Sequence, residues 1–195
     1  MPAGPQLILD AGGVLVTNLS PLLWQQLAAE AAVSHDQLVE SYKRCIREDL
    51  WNGKAGEASF WNWLQVQFPA LREDRARELL IANLQPLPAL QLIPYWSKFF
   101  DIHLLSNHRA EWLLPVLSHV RHCLTSMTIS SEFGSCKPGP AIFAQAASLL
   151  PPGSPTLYVD DQQDNLQQAS SMGWQTLRAD ISGSWARQVI PLLVP

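Results

Sequence analysis

The sequence predicts an α/β fold, a mostly parallel sheet with an all-helical unit inserted after its first strand. Three observations carry this. Short apolar runs at 7–9, 102–105 and 157–159 alternate with stretches of helical spacing, the pattern of a parallel sheet with crossover helices. Residues 17–85 show helical signals alone. Several apolar runs end in polar groups, at the strand edge where open α/β sheets place ligands. The 195 residues allow one domain with a sizeable insertion.

The first run, Leu7-Ile8-Leu9, has no polar side and reads as a strand buried on both faces. Asp10 closes it, and Gly12-Gly13 follow. Glycines there let the backbone turn tightly and approach a ligand. Asp10 suits a nucleophile, a metal ligand or both, or a turn-forming Asp at a strand end.

Ser20-Pro21 predicts a helix cap with proline in the first turn. Leu22, Leu23, Leu27 and Ala31 then recur at near-helical spacing. A second helix starts near Ser34, with Leu38, Tyr42, Cys45 and Ile46 on one face. The loop from Trp51 to Glu57 holds two glycines and could face a ligand. A third helix runs from Ser59 with Phe60, Trp61, Trp63, Leu64 and Phe68, and a fourth follows Pro69. The expected division is 17–85 as a four-helix cap, with 1–16 and 86–195 as the α/β core. Pro86 and Pro88 mark the return. A helix is expected over Leu90–Phe100, interrupted or ended near Pro94. Strands follow at Ile102–Leu105, Leu124–Ile129, Leu157–Val159 and Gln175–Leu177. Helices are expected at Trp112–Val120, Pro140–Leu150 and Leu166–Met172.

Composition excludes several classes. The net charge of −4 gives no nucleic-acid footprint. No apolar run reaches the ~18 residues of a membrane span, and the start lacks the basic and apolar regions of a signal peptide. Cys45, Cys123 and Cys136 are scattered, without a Cys-x-x-Cys pair. They read as reduced, partly buried thiols rather than a zinc site or disulfide framework. The expected compartment is cytoplasmic.

Four polar elements can converge on one sheet edge: Asp10, Ser106-Asn107, Lys137 and Asp160-Asp161. Each has an ordinary alternative. Ser106-Asn107 and Asp160-Asp161 could cap helices, and Lys137 could be a solvated lysine before proline. Two adjacent acids at a buried strand end are costly, however, unless a cation pairs with them. Together the four suggest phosphoryl transfer. Asp10 would attack phosphorus. Asp10, a carbonyl near Gly12 and Asp161 would hold Mg²⁺. Ser106 and adjacent amides would hold phosphoryl oxygens, and Lys137 would neutralise charge. Asp160 and Asn165 would orient the metal shell.

These stretches, Leu-Asp10-Ala-Gly-Gly-Val-Leu, Leu-Ser106-Asn107, Lys137-Pro138 and Val-Asp160-Asp161-Gln-Gln-Asp164-Asn165, resemble the four motifs of the haloacid dehalogenase (HAD) superfamily. The resemblance is to the subclass with a helical cap after the first strand, and it spans residues 6 to about 178. With Phe133-Gly134 and Ile142-Phe143, it is greatest to the branch of bacterial sugar-phosphate phosphatases and the phosphatase domain of soluble epoxide hydrolases. The Gly53-to-Trp61 stretch resembles that branch's cap loop, which helps choose the substrate. The resemblance implies a Rossmann-like core, Mg²⁺, a small phosphorylated metabolite as substrate, and catalysis by Asp10 and Lys137. It also implies phosphate contacts from Ser106, Asn107, Gly12, Gly13 and His108.

The sequence departs from this family at one place. Family phosphatases usually carry a second Asp two residues after the nucleophile, which protonates the leaving oxygen and then activates water. Here that residue is Gly12. His108, Asp164 or Glu57 could supply the proton. Alternatively the chain runs other HAD chemistry, as dehalogenases and phosphonatases lack this Asp. Phosphonatases use a cap lysine, and Lys43 or Lys54 would have to serve. The third reading is a catalytically weak binding or regulatory protein. Trp24, Trp51 or Trp61 could favour an apolar or ring-shaped leaving group, or could be core.

Overall fold

The computed structural model describes residues 4–193. Five parallel strands form one sheet: β1 (Gln6–Leu9), β2 (Asp101–Ser106), β3 (Ser126–Ile129), β4 (Thr156–Asp160) and β5 (Gln175–Arg178). The spatial order is β3-β2-β1-β4-β5. The chain lays β2 and β3 on one side of β1, then crosses to lay β4 and β5 on the other. The order therefore reverses at β1 and β4, where α/β sheets open a crevice at the strand carboxyl ends.

The alternation of side chains explains why β1 is apolar throughout. Leu7 and Leu9 enter the larger core on one face of the sheet. Ile8 enters a second core with Leu105, Phe143, Tyr158 and Leu166 on the other. Both faces are covered, as parallel sheets require. β5 is an edge strand and is mostly exposed.

Residues 17–85 hold five helices rather than four: α1 (Leu22–Glu30), α2 (His35–Cys45), α3 (Arg47–Trp51), α4 (Glu57–Gln67) and α5 (Glu73–Asn83). The short α3 ends at Trp51, where the expected loop to Glu57 begins. α2 begins beside Ser34 as expected, and Ser34 caps it, accepting from the Gln37 amide at 3.1 Å. Ser20 does not cap α1, whose cap residue is Pro21 and has no side-chain cap bond. Leu22 and Cys45 also depart from the expected apolar faces, and both are exposed. The chain leaves and re-enters the sheet side by side: Thr17 donates its amide to Gln85 O, and Gln85 donates its amide to Thr17 Oγ1, both at 2.8 Å.

The return begins with a 3-10 turn, Pro88–Leu92, and α6 (Ile93–Trp96). The helix expected over 90–100, interrupted or ended near Pro94, is thus a 3-10 turn followed by a helix that stops at Trp96. After β2 come α7 (Ala110–Leu117), α8 (Ser130–Phe133) directly behind β3, α9 (Pro140–Ser148), α10 (Gln163–Ser171) and α11 (Val189–Leu193). Sequence spacing did not reveal α8 or α11. No helix among the described residues is long and apolar enough to cross a membrane.

Candidate active site

Register builds the centre of the site. Leu9 pairs with Val159 on β4 and Leu104 on β2. Asp10 and Asp160 each follow one residue later, so two carboxylates stand side by side on neighbouring strands about 4.8 Å apart. Asp161 comes next, and the three acids offer oxygens within 4.8 Å of one another.

Lys137 lies between the acids. Its Nζ pairs with Asp10 Oδ1 at 2.9 Å and Asp160 Oδ2 at 2.7 Å. It also donates to Leu105 O at 2.9 Å and to Tyr158 Oη at 3.0 Å. Lys137 is buried, not the solvated lysine its place before proline allowed. Burial works to lower its pKa, but the two carboxylates outweigh burial and raise it, so it stays charged. Asn107 fixes the lysine's backbone: Asn107 Oδ1 accepts from the Lys137 amide at 2.8 Å, and Nδ2 donates to the Lys137 carbonyl at 2.9 Å. Its carboxamide thus clasps that backbone through Oδ1 and one Nδ2 hydrogen, a role beyond the phosphate contact that the sequence suggested.

Asp160 is wholly buried and saturated. It accepts from Lys137, the Tyr158 hydroxyl, Asn165 Nδ2 at 3.0 and 3.1 Å, and the Gln162 amide at 2.8 Å. Burial, and then the Asp160 and Asp10 carboxylates, hold the Tyr158 phenol well above its ordinary value, so it remains a donor. Asp10 is less enclosed. Its Oδ1 takes both Lys137 and the Ala11 amide, the latter at 2.6 Å, which leaves Oδ2. Burial pushes the Asp10 carboxyl from 3.8 up to about 7 against the pull of Lys137, and the Asp160 charge adds to the rise.

The residue the sequence did not reveal is Asn18. A Cβ on Gly12 would lie 2.7 Å from Asn18 Oδ1. Asn18 Nδ2 donates to Asp161 Oδ2 at 2.9 Å. The Asn18 carboxamide thus fills the space where a side chain at residue 12 would begin, and it ties down Asp161. Gly13 has φ 71°, and a Cβ there would run into the Asp161 carboxylate and Asn18. Gly13 is therefore demanded by backbone and by space, Gly12 by space alone.

Asp10, Gly12, Asn18, Lys137, Asp161 and Asn165 line one end of a cavity of about 780 Å³. Asn107 and His108 also reach it. Ser106 closes β2 beneath them, and its buried hydroxyl has no hydrogen-bond partner in the protein. His108 is buried. Burial lowers its pKa to about 4, so the ring is neutral near pH 7. Its Nδ1 lies 3.1 Å from the Arg109 carbonyl, which can only accept, so the ring proton is on Nδ1 and Nε2 is an acceptor. His108 is thus unsuited to protonate a leaving group.

Glu57 and Asp164, the other acids considered for that task, are not on the cavity wall, and neither is Lys54. Glu57 instead accepts from Trp61 Nε1, Trp112 Nε1 and Arg77 Nη1 at 2.9–3.0 Å. The loop at 52–56 does not face the cavity either. Arg109 Nη1 holds it by donating to Leu50 O and Ala55 O at 3.1 and 2.6 Å. Of the tryptophans considered as lining, Trp24 and Trp51 reach the cavity. Trp61 packs in the core beside Phe60 and Trp112 instead.

Three carboxylates around one lysine leave an excess of negative charge that a divalent, oxygen-seeking cation would balance. With Asp160 saturated, Asp10 and Asp161 are the side chains that fit such an ion, beside the Gly12 backbone.

The fold is that of the HAD-like hydrolases. A predicted HAD-like family hydrolase from Porphyromonas gingivalis superposes with a TM-score of 0.79 over 99% of both chains, at 21% identity. A HAD family enzyme from Bacteroides thetaiotaomicron, solved as a complex with magnesium and inorganic phosphate, gives 0.80 over 95% of this chain and 98% of that one, at 18% identity. A dehalogenase gives 0.66 over 100% and 99%, at 20% identity. The sequence matches no protein-family model and no curated protein.

Proposed function

We propose that this chain is a HAD-superfamily phosphomonoesterase that requires Mg²⁺ and works through an aspartyl-phosphate on Asp10. The observation that carries the proposal is the Asp10–Lys137–Asp160 cluster at the strand ends, with one Asp10 oxygen left over and the cavity beside it. The magnesium–phosphate complex of the Bacteroides enzyme, which shares the fold, supports it. The helices of residues 17–85 would act as a cap that shields the reacting groups from water.

The chemistry divides among this chain's residues. Asp10 Oδ2 forms a bond to phosphorus while the bond from phosphorus to the leaving oxygen breaks, and that oxygen departs with the electron pair. Lys137 offsets charge on Asp10 and on the incoming phosphate. Asp160, Tyr158 and Asn107 keep Lys137 in place. The unpartnered Ser106 hydroxyl is suited to a phosphoryl oxygen. Water then attacks phosphorus as the bond from phosphorus to Asp10 breaks, which frees the carboxylate and releases inorganic phosphate, the water's proton passing to solvent. Mg²⁺, held by Asp10, Asp161 and the Gly12 carbonyl, would polarise the phosphoryl oxygens when bound.

The test is phosphate release from 4-nitrophenyl phosphate, with Mg²⁺ and with a chelator. Release is expected in the first condition and not in the second. Equal release in both would overturn the metal assignment, and no release in either would overturn the phosphatase reading.

A separate result is expected for Asn18→Ala. Asn18 holds Asp161 from outside the ligand set, and supporting hydrogen bonds of that kind are worth about 10–100-fold in metal affinity. Being exposed, it should sit at the lower end, with Mg²⁺ binding weakened about tenfold. Calorimetric titration of the substrate-free protein measures this. An unchanged affinity would remove Asn18 from the site.

A further inference from the structure

Resting on the phosphatase reading, we propose that the α2–α3 wall of the cavity is a second anion site, in which Lys43 and Arg47 take a negative group on the leaving half of an aryl-type phosphomonoester. His35, Val39 and Lys43 form a stripe along α2, Arg47 opens α3 after the break at Ile46, and all four reach the cavity that holds Asp10. A phosphoryl group would use only part of the 780 Å³, since cavities of that size enclose whole small-molecule ligands.

Among the cations of the helical unit, Lys43 and Arg47 line the cavity, whereas Arg44 and Lys54, also without an ion pair, do not. Arg72, Arg75 and Arg77 are each paired with a carboxylate: Asp74, Glu30 and Glu78, and Glu57 and Glu73. Among the described residues, Lys43 and Arg47 have no ion-pair partner. The carboxylates on the cavity wall are Asp10 and Asp161, the pair assigned to the metal. Glu48 shares a smaller adjoining cavity with Arg47 and does not reach the main one. Two unpaired cations on a wall with no acid of its own favour an anionic partner.

The remaining wall is aromatic. Trp24 and Tyr42 lie with ring centroids 4.2 Å apart. Trp51 donates to the Tyr42 hydroxyl at 2.5 Å and meets His108 edge-on at 5.8 Å. A row of rings thus runs from α1 to the end of β2, beside the cations. A flat leaving group with an anionic tip matches both features. An aryl oxygen also departs without being protonated, which suits a site lacking an acid at residue 12.

The experiment compares 4-carboxyphenyl phosphate with 4-carbamoylphenyl phosphate. The two match in shape and differ in charge, and the carboxamide withdraws more electron density, so intrinsic reactivity favours the amide. The expected result is a kcat/KM at least about tenfold higher for the carboxylate, the scale of a charge-assisted contact, lying mainly in KM. In Lys43→Met/Arg47→Met the ratio should fall to one or below. A wild-type ratio near one, or a preference that survives the double substitution, would overturn the inference while leaving the phosphatase reading intact. If neither ester is cleaved, the phosphatase reading fails and the inference falls with it.

Discussion

Asp10→Asn is expected to stop turnover and, without metal, to raise the melting temperature. The first effect follows from the amide being a poor nucleophile, and the loss should be roughly 10⁴-fold or more, the scale for removing an attacking group. The second follows from burial. The Asp10 carboxyl is held up at about 7, against 3.8 for the free group. Between those values the folded protein holds a proton that the unfolded chain has released, so stability falls as pH rises from about 4 to 7 and stays lower above that. At pH 8 the buried carboxylate costs the fold on the order of a few kcal/mol. The amide removes that cost, while Lys137 keeps Asp160, Tyr158 and the Leu105 carbonyl as partners. Melting curves at pH 8 in chelator should therefore place the variant several degrees above wild type. A lower melting temperature would mean that the Asp10–Lys137 pair is worth more than the burial it offsets. Turnover near the wild-type rate would remove Asp10 as the nucleophile.

Much of this site was legible because a parallel sheet collects the ends of its strands. Asp10, Ser106 and Asp160 each close a short apolar run, and strand order alone brings such residues to one edge. What sequence could not give was the set of contacts within that edge. Asn107 reads as a phosphate contact, and its carboxamide also clasps the Lys137 backbone through Oδ1 and one Nδ2 hydrogen. Tyr158 sits inside an apolar strand and reads as core, but its hydroxyl reaches Lys137 and Asp160. Asn18 lies in a connecting segment without periodicity, and its place over Gly12 depends on how residues 14–18 fold back. The aromatic helix α4 shows a different limit. Trp61 and Trp63 sit on a segment that is apolar on most sides, so spacing does not say which ring meets a ligand. The cavity instead takes Trp24 and Trp51, from α1 and from a short helix that spacing did not reveal. The burial of His108 was not legible either, because it comes from α3 and α7, which pack Trp51 and Trp112 against it.

With no acid at residue 12, the rate should depend steeply on the leaving group. The cavity wall carries two carboxylates, both assigned to the nucleophile and metal, His108, whose proton faces a carbonyl, and His35 on α2, whose Nδ1 is engaged by Asp36. None of these is placed to give a proton to the departing oxygen. A positioned acid is worth about 10²–10⁴-fold, so alkyl esters should fall behind activated aryl esters by at least about that factor beyond their intrinsic difference. A series of aryl and alkyl phosphates at fixed Mg²⁺ gives the slope of log kcat/KM against leaving-group pKa. Gly12→Asp offers the complementary gain. The backbone at residue 12 does not require glycine, since its φ is not positive, but the new Cβ would meet Asn18 Oδ1 at 2.7 Å. The single substitution must push Asn18 aside and release Asp161, so it should lose metal affinity as it gains an acid. Gly12→Asp combined with Asn18→Ala clears the space. That pair should flatten the slope and raise the alkyl-ester rate at saturating Mg²⁺, at the cost of weaker metal binding. A wild-type slope already shallow would mean that a proton donor serves the leaving oxygen from a position the cavity wall does not reveal.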